Sequence, residues 1–150
     1  MHLRHTALFG AFLIAILLPA TSFAQRHPRY AHARTDLRIA QKFLTMRDDP
    51  NVARYLMRSN EEVEAAIREI DRAAVLDGRP DNNPPADVNV DRLGKFRKIR
   101  TLLQSARADL GGETDTPAAA RWRAIAFRRI DAALDLLRRA AFEAHLDRGW

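Results

Sequence analysis

Along the chain, apolar residues recur at alternating steps of three and four in four separate stretches, the spacing that lines one face of an α-helix. The first stretch holds Tyr30, Ala33, Leu37, Ala40 and Leu44. Pro28 stands where a first-turn proline is tolerated, and Pro50 closes the segment because the residue before a proline is pushed out of helical geometry. Val52, Tyr55 and Leu56 then read as a single turn in the connection. Ser59-Asn60-Glu61-Glu62 is a capping box, with the serine three residues before a glutamate. It predicts a second helix that opens there, carries Val63, Ala66, Ile67, Ile70 and Ala74, and stops at Gly78.

Residues 78–90 hold too many prolines, asparagines and aspartates for regular structure and read as a central loop. Asp91 caps a third helix bearing Leu93, Phe96, Ile99, Leu103, Ala106 and Leu110, which Gly111-Gly112 ends. Thr116-Pro117 opens the fourth and longest, with Phe127, Ile130, Leu134, Leu137 and Ala141 on one stripe and Ala126, Ala133 and Ala140 beside it. Residues 66–73 and 126–133 share the pattern Ala, Ile or Phe, Arg, any residue, Ile, Asp, any residue, Ala. A weaker echo relates Leu37, Ala40 and Leu44 to Leu103, Ala106 and Leu110. The predicted fold is all-α: an antiparallel, up-down-up-down four-helix bundle of two repeated hairpins, 28–77 and 91–147, joined by the loop 78–90.

Ahead of these stretches lies a different pattern. His2 and Arg4 precede an apolar run from Ala7 to Leu18, then Pro19 and the small-residue stretch that ends at Ala24. A run of about 12 residues is shorter than the roughly 20 that cross a bilayer, so residues 1–24 read as a cleavable signal peptide rather than an anchor. The mature domain is then 25–150, periplasmic or secreted, with no transmembrane segment after cleavage. The chain contains no cysteine. Disulfides, thiolate metal sites and cysteine nucleophiles are excluded, and the fold is held by packing alone.

Several short motifs carry a resemblance: His27-Pro28-x-Tyr30, Asp36-Leu37-Arg38-x-Ala40, the loop from Asp77-Gly78 through Asn83-Pro84-Pro85 to Asp87, and the paired Ile-Asp motifs. Together they resemble a group of small exported bacterial helical proteins with no assigned activity. The resemblance implies an exported helical fold and no particular chemistry.

The net charge is +6, and losing Arg4 with the leader leaves about +5. Lys95, Arg97, Lys98 and Arg100 on the third helix, with Arg121, Arg123, Arg128 and Arg129 on the fourth, read as solvated helix faces or an anion-binding face. An acidic envelope protein or anionic lipid headgroups fit such a face. Nucleic acid does not, because the chain is exported and Phe96 and Trp122 suit the core better than a stacking platform. Asp71 and Asp131, at matching places in the repeat, read as structural acceptors for Arg38 and Arg107 on neighbouring helices.

Metal and cofactor signals are weak. In an up-down-up-down bundle His32 and His145 share one end, yet no histidine pair has the spacing of two ligands on one helix face. Met46 and Met57 read as core filler far from His145, which argues against a haem held by methionine and histidine. Asp87 to Asp91 begins like a calcium loop, but Arg92 replaces the turn glycine and Lys98 the final glutamate. With no nucleophile-base set or phosphate-cradling loop, the expectation is a non-enzymatic protein without a cofactor, monomeric or homodimeric. It acts through its surface as a binding or stress-related accessory protein in the cell envelope. The alternative is a carrier of a small ligand or metal that uses the bundle interior or the histidine-bearing end.

Overall fold

The structure, a computed structural model, describes residues 28–74, 89–112 and 116–146. The leader, the central loop up to residue 88, Gly78 and residues beyond 146 lie outside the described residues. Four helices and no strand are present among the described residues: α1 (Pro28–Leu44), α2 (Pro50–Ala73), α3 (Arg92–Gly111) and α4 (Pro117–Glu143). None is long and apolar enough to cross a membrane.

Local signals account for most of the boundaries. Asp91 caps α3, its Oδ1 accepting from the Gly94 amide at 2.6 Å, and Thr116 caps α4, its Oγ1 accepting from the Ala119 amide at 3.3 Å. Gly112 follows the last residue of α3. At the end of α4, His145 takes the left-handed conformation, with φ at 56°. Its amide donates to the Phe142 carbonyl and the Leu146 amide donates back to Ala141 at 2.9 Å, closing a Schellman motif and laying Leu146 on the core.

The second helix corrects the reading of Pro50 and Ser59. Pro50 occupies the first turn of α2, where its missing N–H costs nothing, and α1 has already ended at Leu44, before the connection 45–49. Val52 and Leu56 therefore belong to one stripe with Val63, Ala66, Ile67 and Ile70, all buried. Ser59 caps nothing: its hydroxyl, fully buried, donates to the Ala133 carbonyl of α4 at 3.0 Å.

The stripes predicted on the other helices meet in one core. Tyr30, Leu37, Ala40 and Leu44 of α1 lie with Phe96, Ile99, Leu103 and Leu110 of α3 and with Ile130 and Leu137 of α4, each nearly or wholly removed from solvent. Alanines at the α2–α4 seam, Ala66, Ala126, Ala133 and Ala140, let those two helices approach closely. Met46 packs against this core, whereas Met57 is 64% exposed and is not core filler.

Contacts fix the arrangement. α2 packs most extensively on α4 and α1 on α3, while α1 and α4, and likewise α2 and α3, are not neighbours. Arg34 with Asp71 and Gln41 with Glu64 run α1 against α2 in opposite directions. Arg54 with Glu143 and Glu62 with Arg129 do the same for α2 and α4, and Arg107 with Asp131 for α3 and α4. Asp48, just past the end of α1, meets Lys95 in the first turn of α3. Every neighbouring pair is thus antiparallel, and the order is up-down-down-up. The expected up-down-up-down order is corrected: α3 starts beside the α1–α2 connection, at the end of the bundle opposite Ala74.

Candidate functional site

That order separates residues the sequence had placed together. His32, near the start of α1, and His145, past the end of α4, stand at opposite ends of the bundle, both exposed. No group of three or more histidine, aspartate or glutamate side chains that would hold a metal is found among the described residues. The end of α1, the starts of α2 and α3 and the end of α4 share one end, so Met46 and Met57 lie at the same end as His145, not far from it.

The basic residues also divide. Lys95 is buried, not on a surface: its ammonium donates to Asp48 Oδ2 at 2.5 Å, and the two side chains are 5% and 4% exposed. Arg92 bridges Asp48 and Asp49, the latter at 2.9 Å. Burial raises the pKa of Asp48, but the Lys95 hydrogen bond, the Asp49 amide and the charges of Lys95 and Arg92 together hold it below its ordinary value. These groups line an open cleft of about 530 Å³ with Met46, Arg47 and Val90. Asp48 and Asp49 are matched by cations, and Asp91, which also lines the cleft, is taken up by its cap on the Gly94 amide, so the cluster ties the α1–α2 turn to the start of α3.

The aspartates of the repeat are half exposed. Asp131 accepts from Arg107 Nε at 2.6 Å, and Arg107 also lies 5.1 Å from the centre of the Phe127 ring. Asp71 takes Arg34 at 2.8 Å and not Arg38, which sits one turn further on and donates to Gln41. Of the α3 cations, Arg97 and Lys98 are exposed and Arg100 is half-buried.

Further exposed arginines are spread over the outward faces of α2 and α4. Trp122 carries Arg72 and Arg121 over its ring, at 5.1 and 5.6 Å from the centroid. Arg129 pairs with Glu62 at 3.0 Å midway. At the far end Arg54 lies 4.7 Å over the Tyr55 ring, donates to the Tyr55 hydroxyl at 3.3 Å and reaches Glu143 at 3.9 Å. Arg58 and Arg68, each one turn from Arg54 and Arg72, and Arg128 and Arg139 on α4 are exposed with no carboxylate partner among the described residues. A groove of about 380 Å³, lined by Tyr55, Arg138, Arg139, Phe142 and Glu143, opens at this end.

Sequence reasoning missed Arg54, Arg58 and Arg68 because it began the second helix at Ser59 and weighed the arginines of the other hairpin. Compared with known proteins, the chain matches no family model, no curated protein and no solved structure.

Proposed function

We propose that this is an exported, non-enzymatic helical-bundle protein, cleaved after Ala24, that binds an acidic partner protein in the cell envelope and serves there as an accessory factor. The observation that carries the reading is the set of exposed arginines on the outward faces of α2 and α4, of which Arg58, Arg68, Arg128 and Arg139 have no carboxylate partner among the described residues. Unpaired guanidinium groups facing water are more weakly hydrated than ammonium groups and suited to carboxylate recognition, since their planar donor forks match carboxylate oxygens. The two helix faces span about 30 Å, long enough to meet an extended acidic segment or a helix face. The paired Ile-Asp motifs support a two-hairpin duplication as the origin of the bundle, each isoleucine turned inward and each aspartate held by an arginine of the preceding helix.

The test uses the chain lacking residues 1–24 and polyglutamate as probe, with binding followed by tryptophan fluorescence. Replacing Arg58, Arg68, Arg128 and Arg139 together with glutamine weakens binding at least about tenfold at physiological salt, whereas replacing Arg97 and Lys98 changes it little. Equal binding by the two variants overturns the reading. So does native mass spectrometry of the protein from its own envelope that finds stoichiometric metal or haem, and a chain still carrying residues 1–24 refutes cleavage.

A further inference from the structure

We infer that the groove between the start of α2 and the end of α4 receives one aromatic or other large apolar side chain of an acidic peptide segment, whose flanking carboxylates lie on Arg139 and Arg58. The inference rests on the arginine faces as the acidic partner's surface, and it adds an anchor point and a register to it.

Three observations carry it. Phe142 is 69% exposed, an unusual position for a phenylalanine on a helix whose other large apolar residues face inward. Its ring stands on one wall of a groove whose other wall is Tyr55, itself half-buried and fixed in place by Arg54 stacked on its face. At about 380 Å³ the groove falls in the range that accepts a single large side chain or a small ligand. Arg139 lines it and Arg58 lies one turn beyond Tyr55, neither held by a carboxylate among the described residues.

Aromatic anchors seated in a pocket and ringed by polar contacts are the usual centres of protein recognition. Charge separates a peptide from a bilayer here. Glu143 in the groove and Asp135 beside Arg138 place negative charge where an anionic headgroup layer repels it, while a peptide sets its own spacing around them.

The experiment compares two synthetic twelve-residue peptides of glutamate and serine, one with a central tryptophan and one with alanine there, by isothermal titration against the chain lacking residues 1–24. The tryptophan peptide binds about tenfold more tightly, and Phe142→Ala removes that advantage without changing affinity for the alanine peptide. Arg139→Gln weakens both. Because Phe142 is mostly exposed, its truncation leaves the core intact. Equal affinity for the two peptides overturns the groove while the arginine surface stands. Failure of both peptides to bind overturns the groove and the arginine surface together. Phe142-dependent binding to phosphatidylglycerol vesicles, with no preference between peptides, overturns the inference in favour of a membrane surface.

Discussion

Lys95 and Asp48, 47 residues apart, form an ion pair at 2.5 Å with both side chains almost completely removed from water. Removing one charge leaves the other poorly hydrated and without its partner, so Asp48→Asn is expected to destabilise the fold by roughly 1–3 kcal/mol in urea unfolding. The double change Asp48→Leu with Lys95→Met removes both charges together. It is expected to lie within about 1 kcal/mol of the parent or above it. A single variant as stable as the parent refutes burial of the pair.

The same aspartate sets an acid limit. Its carboxyl titrates below the ordinary value of 3.8, so its contribution to stability is complete above that value and is lost as pH falls through the folded-state pKa. Thermal melts from about pH 5 to pH 2 are expected to show a steeper fall for the parent than for Asp48→Asn. Parallel curves would remove the linkage.

His145 holds a left-handed backbone that an L-residue with a Cβ adopts at a cost. His145→Gly is expected to raise stability by about 1 kcal/mol. The gain is read from the urea midpoint at unchanged slope. A loss instead would show that the imidazole makes a contact worth more than the strain.

Ser59 gives a fourth stability test, centred on the α2–α4 seam. Ser59→Ala gives up its bond to the Ala133 carbonyl, at a cost of about 1 kcal/mol, because that carbonyl keeps its own helical partner. Ser59→Leu forces the two helices apart and costs about 1–3 kcal/mol. If leucine is tolerated as well as alanine, the seam is looser than described.

The stripes were legible because their period of three and four survives whatever the helices pack against: Leu37, Ile70, Leu103 and Ile130 were all placed inward from spacing alone, and all are buried. Caps at Asp91 and Thr116 were legible for the same reason, being local. Pro50 misled because a proline marks a boundary without saying on which side the helix lies. Ser59 misled because a serine three residues before a glutamate fits a cap and a buried interhelical donor equally well. The order of the helices was not legible at all, since two hairpins with identical stripes pack in either order. That choice rests on distant pairs such as Asp48 with Lys95 and Arg54 with Glu143, which have no signature in spacing. The shared histidine end fell with the assumed order, and Lys95 left the cationic face of the third helix by burial, while Arg97 and Lys98 stay exposed on it. Arg107 and Asp131 were paired from the repeat, and they meet; Asp71 took an arginine one turn away from the one chosen.

The crossed order bears on how the chain is made. α1 and α2 touch along one flank, yet most of their packing is reserved for α3 and α4, which leave the ribosome later. Until α4 is complete, Val52, Leu56, Val63 and Ile70 lack the larger part of their cover. The growing chain therefore carries a sticky first hairpin through the second half of its synthesis and closes late, and a segment that keeps it from closing early, or a chaperone that covers the first hairpin, would act on this interval alone.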